Sequence, residues 1–291
     1  MKPRQFEYFA PTSVDEAVAL LGAHAESAKL LAGGQSLLPM MNFRLASPEI
    51  LIDLNRIGEL AYIRAEEDAV RIGAMTRQRA LEFSPQIKSD LPLLSATLPL
   101  IGHLPTRSRG TIGGSLSHND PAAELPMMLQ ALDGEVAVRG PRGTRSLAAR
   151  DFFKDAMTTA LGTDEILVEV KFPRMPKGAR FAVEEFSRRK GDFAIAAIAV
   201  VLVGNGVSVE KAAIATAGVT SCSVRLNAAE QMLLESGATD AAIAQAAEAA
   251  ANAIEPLSDA NASGAFRRHL TRVLTERAIR RALEQAPAEL H

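Results

Sequence analysis

Twice in this sequence paired glycines are followed by hydroxyl residues, in Ala32-Gly33-Gly34-Gln35-Ser36 and in Thr111-Ile112-Gly113-Gly114-Ser115. No other pattern in the chain constrains its backbone as strongly. Glycine permits φ > 0 and lets peptide N–H groups approach a ligand with no Cβ in the way. The first pair follows a short apolar strand over residues 29–32, so its amides form a nest for an anion, and a helical turn from Ser36 adds its N-terminal dipole. The second lies in Arg109–Ser117, where Thr111, Ser115 and Ser117 offer hydroxyls, and reads as loop leading into His118-Asn119-Asp120-Pro121. One such turn alone reads as a tight turn, whereas two suit a ligand with an extended phosphate backbone. The formal net charge is −2, so long-range attraction cannot hold a diphosphate, and local amide donors must.

Composition removes several function classes. Cys222 is the single cysteine, which excludes a disulfide framework, a Cys-rich zinc site and an iron–sulfur cluster held by this chain. With no partner in sequence, Cys222 reads as inert. Lys plus Arg is 32 against Asp plus Glu at 34, without the basic excess of a nucleic-acid binder. Met1–Phe6 lacks the apolar run of a signal peptide, which points to the cytoplasm. The uncharged run 193–209 is too short for a membrane span and is cut by Gly204-Asn205-Gly206. Neither a phosphate-binding G-x-x-x-x-G-K loop, a G-x-G-x-x-G fingerprint nor an H-E-x-x-H zinc motif occurs. Gly34-Gln35-Ser36-Leu37-Leu38 has Leu38 where a nucleophile elbow requires glycine, so Ser36 is no hydrolase nucleophile. His103 and His118 read as loop hydrogen-bonders. No residue is assigned to acid–base catalysis or to a metal.

At 291 residues the chain has room for more than one domain. Residues 1–55 read as strand, helix, strand, loop, strand, with Ser13-Val14-Asp15-Glu16 as a capping box. Residues 56–173 mix strands with short helices, Thr76 being placed to cap a helix through Phe83. From 174 onward a Pro/Gly linker is followed by two apolar strands around Asn205-Gly206, a hairpin signal. Two helices close the chain, an alanine-rich one from Thr239 and one over 266–283 carrying Arg267, Arg268, Arg272, Arg277, Arg280 and Arg281. That arginine stripe reads as a solvated face, or else as a surface for a partner.

Ala32–Leu45 and Thr111–Gly114 resemble the two flavin-binding motifs of the FAD-binding medium subunit of molybdenum hydroxylases, the family of carbon monoxide, xanthine and N-heteroaromatic dehydrogenases. The resemblance spans the chain, through Thr106–Gly110, His118–Glu124, Asp164–Leu167 and Arg188–Ala194. It implies an α+β fold. Two α/β subdomains of the vanillyl-alcohol-oxidase (PCMH) type bind FAD, here 1–55 and 56–173. A C-terminal domain over 174–291, of a three-stranded antiparallel sheet with a helical bundle, follows them.

By the same resemblance, Ala32, Gly33, Gly34, Gln35, Ser36 and Leu37, with Thr111, Ile112, Gly113, Gly114, Ser115 and Ser117, hold the diphosphate and ribityl region. Asp120 and Glu124 lie near the adenosine or ribityl hydroxyls; Asp120 reads alternatively as a cap for a helix begun by Pro121. Leu167 packs against the flavin. Phe193 stands where the carbon monoxide branch has a Tyr over the isoalloxazine, and Gln35 where some members have His. The implied role is electron transfer within a heterotrimer, assembled as a dimer of heterotrimers. A large molybdopterin subunit hydroxylates substrate, and a small subunit with two [2Fe–2S] clusters passes electrons to FAD and on to an external acceptor. The alternatives are a self-contained FAD-dependent oxidase or reductase, and a non-catalytic nucleotide-binding module.

Overall fold

The computed structural model describes residues 1–285, which build three larger sheets in chain order and a two-stranded one, Phe153–Asp155 with Thr158–Thr159. The first is parallel, with strand Ile50–Asp53 between Glu7–Phe9 and Ala28–Leu31. Helix Val14–Ala23 makes the crossover and buries Ala17, Val18 and Leu21 beneath that sheet. Ser13 caps it through the Glu16 amide at 3.2 Å, but Glu16 reaches back to the amide of Thr12 instead of Ser13, so the capping box closes one residue early.

The second sheet has five antiparallel strands in the order Ile63–Ala65, Ala69–Gly73, Ile166–Pro173, Glu135–Gly140, Gly143–Ala148. Strand Ile166–Pro173 therefore returns from far along the chain to the sheet centre. Short helices between Gln78 and Ala131 cover this sheet and bury Leu81, Leu94, Ile112, Leu116 and Met128 in the largest core cluster. Leu91–Leu100, interrupted by prolines, forms helix Pro92–Thr97, with Pro92 at its first position, where the missing N–H has no helical partner to lose. Thr76 does not cap the helix Gln78–Glu82. Its hydroxyl lies at 3.1 Å from the Tyr62 amide and 2.9 Å from the Tyr62 carbonyl, and Arg77 takes the cap position.

The third sheet runs Arg180–Phe186, Ala196–Val203, Lys211–Ala217, Val224–Arg225, all antiparallel. The sheet has four strands where three were expected, the fourth being only two residues long. Asn205-Gly206 lies in a connection from Gly204 to Glu210, longer than a two-residue turn, closed by Glu210 N–H to the Val203 carbonyl at 2.8 Å. Helices Asn227–Ser236 and Gly264–Glu284 pack against this sheet and Asp240–Asn252 packs on those two helices, the last two in sequence being capped by Thr239 and Ser263.

Most of the arginine stripe is a solvated face, with Arg277 and Arg281 exposed, and Arg267 is the exception. Arg267 is buried at 4% exposure and donates to the Ile195 and Gly218 carbonyls and to Asp259, while Arg280 pairs with Asp240 and Arg281 with Glu184. No helix among the described residues is long and apolar enough to cross a membrane.

Candidate functional site

The first glycine pair sits between strand Ala28–Leu31 and helix Leu37–Asn42. Gly34 has φ +73°, a conformation L side chains rarely adopt, so glycine is required there on backbone grounds. Among the described residues, the N–H groups of Gly33, Gly34, Gln35 and Ser36 find no acceptor. Gln35 turns its side-chain amide back to the Gly33 carbonyl at 3.1 Å, and the Ser36 hydroxyl caps nothing. Four successive N–H donors in this turn are thus left without a protein acceptor.

The second pair differs from its expected loop. Residues 104–118 form helices Leu104–Arg109 and Ile112–His118. Glycine is a poor helix former, but here three contacts override its propensity. The Thr111 hydroxyl caps the helix through the Gly114 amide at 3.0 Å. Gly113 N–H bonds the Ala74 carbonyl at 2.9 Å, and Ile112 N–H bonds that of Thr76 at 3.1 Å. A Cβ on Gly113 would lie 2.6 Å from the Ala74 Cβ, so the helix docks where only glycine fits. Its amides are thereby consumed, and what it offers a ligand is hydroxyls: Ser115 and Ser117 are half-buried on this helix.

The two pairs meet. A Cβ on Gly33 would strike the Arg109 carbonyl and lie 2.8 Å from the Gly110 Cα, and one on Gly114 would come within 3.4 Å of the Ala32 Cβ. Residues well separated in sequence thus form one seam between the first and second sheets.

Beyond the seam, Asp120 does not cap a helix at Pro121. Its Oδ1 accepts from the Ala122 amide at 2.9 Å in an Asx turn, and the helix starts at Glu124 after cap residue Ala123. Glu124 is buried, and burial first, then Glu185 and Asp120, push its carboxyl up to about 8. Burial also lifts Glu185, on strand Arg180–Phe186, to about 7, and its Oε2 is buried without a partner.

Leu167 is 3% exposed in the core of the second sheet, at a bulge opposite Val138. Phe193 precedes strand Ala196–Val203 and is 72% exposed. Gly191, two residues earlier, lies flush on the His103 ring at the head of helix Leu104–Arg109. Gly218 N–H bonds the Pro121 carbonyl at 2.7 Å, which ties the third sheet to the Asp120–Glu124 segment. Cys222 is half-buried and its thiol is raised, by burial first and by Asp155 second, which keeps it protonated and unreactive.

Four residues at the site carried no signal in sequence. Asn55 donates to the Ala32 carbonyl at 2.9 Å, and Arg77 bonds both Asn55 and the Arg109 carbonyl. Asn119, left-handed at φ 48° and fully buried, donates to the carbonyls of Asp155 and Thr158 at 2.8 and 2.9 Å, fixing a two-stranded hairpin beside Asp120. Glu185 is the fourth. For Asn55 and Asn119 the only clue was type, a short polar residue in a turn, and Arg77 and Glu185 offered none. No group of three or more His, Cys, Asp or Glu among the described residues is arranged to hold a metal.

Comparison with known proteins places this geometry. Residues 4–175 match the family model described as FAD binding domain in molybdopterin dehydrogenase, and 181–282 match CO dehydrogenase flavoprotein C-terminal domain. The chain is 40% identical to the carbon monoxide dehydrogenase medium chain of Hydrogenophaga pseudoflava, covering 97% of this chain and 98% of that one. It is 39% identical to the 6-hydroxypseudooxynicotine dehydrogenase complex subunit alpha of Paenarthrobacter nicotinovorans, over 98% and 97% of the two chains. A solved structure of the Hydrogenophaga pseudoflava carbon monoxide dehydrogenase, lacking the Mo-pyranopterin moiety of its cofactor, superposes with a TM-score of 0.96 at 41% identity, covering 98% of this chain and 100% of that one.

Proposed function

This chain belongs to the family of FAD-binding medium subunits of molybdenum hydroxylases, and from that premise we propose that it is the flavin-bearing electron-transfer subunit of such a complex. The observation that carries this reading is the seam of paired glycines, with four free amides on one side and hydroxyls on the other. These groups fit FAD. Free N–H donors suit a diphosphate where no strong cationic field exists, Thr111, Ser115 and Ser117 suit the ribityl or phosphate oxygens, and Asp120 and Glu124 suit sugar hydroxyls as acceptors.

When bound, FAD supplies a carrier able to exchange one or two electrons, and the protein's part is to bind, orient and tune it. Gly33–Ser36 hold the anionic bridge through backbone N–H groups, with the Gln35 side chain turned back to the Gly33 carbonyl. Buried Glu124 keeps its proton at neutral pH and so offers a hydroxyl donor as well as an acceptor. Phe193 presents a bare ring for stacking and no hydroxyl. No side chain here is asked to abstract a substrate proton, because substrate chemistry belongs to the molybdenum subunit.

Within that assignment, residues 1–55 and 56–173 are the two lobes of a vanillyl-alcohol-oxidase-type clamp, and 174–291 is the flavoprotein C-terminal domain. We assign the sixteen positions Ala32 to Leu37, Thr111 to Ser115, Ser117, Asp120, Glu124, Leu167 and Phe193 to the flavin environment. The partners are a large molybdopterin subunit and a small iron–sulfur subunit, assembled as a dimer of heterotrimers that delivers electrons to an external acceptor. The test is purification of the full chain alone and with both partners. A yellow protein with one FAD per chain, which reduces dyes on substrate addition only with partners present, supports the reading. A colourless chain that FAD does not reconstitute overturns it.

A further inference from the structure

The two glycine loops hang from different sheets, so a ligand lying across both requires them to be held in register. Backbone packing alone sets how closely they approach; two side chains outside both motifs tie them together. Asn55 lies in the 3₁₀ turn Leu54–Arg56 that leaves the first sheet. Its Nδ2 donates to the Ala32 carbonyl at 2.9 Å, directly before Gly33, and its Oδ1 accepts from Arg77. Arg77 belongs to the second sheet's covering layer, where its backbone bridges to Thr111, the residue that caps the second motif. The other arm of its guanidinium bonds the Arg109 carbonyl, the same carbonyl against which Gly33 packs.

The result is a continuous polar chain from Ala32 through Asn55 and Arg77 to Arg109. Its first link is itself braced. Asp53 Oδ1 accepts from the Asn55 amide at 2.9 Å, and Asp53 Oδ2 accepts from the Tyr8 hydroxyl at 2.6 Å. Asp53 stays ionised to do this. Burial pulls its carboxyl upward, but the Tyr8 and Asn55 bonds and the nearby Arg109 charge outweigh that and leave it below its ordinary value. Arg77 suits its post because a planar guanidinium sends two donors in fixed, different directions, which a lysine cannot do.

We propose that Asn55 and Arg77 are positioning residues that clasp the two glycine loops into a single binding surface, so that they set affinity for a ligand spanning both loops and not for one touching a single loop. The proposal rests on the FAD reading above, with the diphosphate as the spanning group. A spanning ligand gains from having its two half-sites pre-aligned, because the ordering of the loops is not charged to binding.

The experiment titrates the full chain, stripped of flavin, with FAD and with FMN, and compares wild type with Arg77→Gln, Arg77→Lys, Asn55→Ala and the double variant Asn55→Ala/Arg77→Gln. Apo-protein melting is followed in parallel. Arg77→Gln is expected to weaken FAD about tenfold to a hundredfold, the range for hydrogen bonds to a charged group. Arg77→Lys keeps the charge, restores one of the two bonds and falls between. The double variant is expected to be no weaker than the worse single, since both break one chain, while FMN affinity stays near wild type.

Each failure reads differently. A wild-type chain that binds no FAD overturns the flavin reading and this assignment with it. Wild-type binding with both single variants unchanged overturns the clasp alone. Equal losses for FMN and FAD, or losses that multiply in the double variant, also overturn it, because they describe general destabilisation. Asn55 is exposed in its turn, so its variant keeps the test open if Arg77→Gln melts early.

Discussion

The two glycine pairs share a dipeptide and almost nothing else. At Gly33-Gly34 the backbone is open: one glycine is required by a positive φ, the other by contact with Arg109, and the amides point at no protein acceptor. At Gly113-Gly114 the backbone is helical, no φ is positive, and the amides are bonded to Ala74 and Thr111. The first pair donates and the second supports. A glycine motif therefore has no fixed meaning as a ligand nest; what decides is whether the fold leaves its N–H groups unspent.

The sharpest way to break this contrast is Gly33→Ala. The new methyl would collide with backbone at Arg109 and Gly110, atoms that cannot swing aside. Overpacking of this kind costs about 3 kcal/mol, and the seam must open to accommodate it. The purified variant should be colourless with a lowered melting point; full flavin content would show that the loops do not need their contact.

The acceptor side of the site is probed by pH. Unfolded, Glu124 ionises near its ordinary value of 4.5, whereas folded it keeps its proton to about 8, for burial first and then the charges of Glu185 and Asp120. Below pH 4.5 both states are protonated and the residue adds no pH dependence. Between 4.5 and 8 the unfolded chain releases the proton and the folded one does not, so stability falls as pH rises, by up to about 5 kcal/mol, and levels off above 8. Glu185, raised to about 7, bends the curve the same way. Apo Glu124→Gln should show a visibly flatter melting profile between pH 5 and 8; an unchanged slope would mean that Glu124 is solvated.

Two smaller substitutions separate donation from support. Thr111→Val removes the cap of Ile112–His118 and should lower stability by about 1 kcal/mol, with urea midpoints moving more than flavin affinity. Ser36→Ala should do the reverse and least of all. Its hydroxyl makes no bond in the fold, so melting is unchanged, and one lost ligand bond of about 0.5–1.5 kcal/mol weakens FAD by roughly twofold to tenfold. A destabilised Ser36→Ala would erase the distinction between the loops.

Much of this was readable before any coordinates. Strand and helix order in residues 1–55 follows from apolar spacing and caps, because crossover units are built from neighbours in sequence. The paired glycines were legible as a site. The helices at 104–118 were not, since their glycines are tolerated only by docking on Ala74, and no local rule reports a contact made across 39 residues, the span from Ala74 to Gly113. The same holds for Asn55, Arg77 and Glu185. Each is an ordinary surface type whose role arises from a strand pairing or a loop contact distant in sequence. Within the arginine stripe only Arg267 escaped the solvated-face reading, as helical spacing places residues on faces without telling which face the sheet covers.

The core under the first sheet includes Met75 and Ile166, borrowed from the second. Residues 1–55 are made well before Ile166, and their apolar face lacks its last partner until that residue has been synthesised. At about 5–20 residues per second that wait is on the order of ten seconds. During it, the apolar face under the parallel strands has only part of its final cover. The sheet that carries the first glycine pair is thus completed by a residue of the second, long after its own strands have been made.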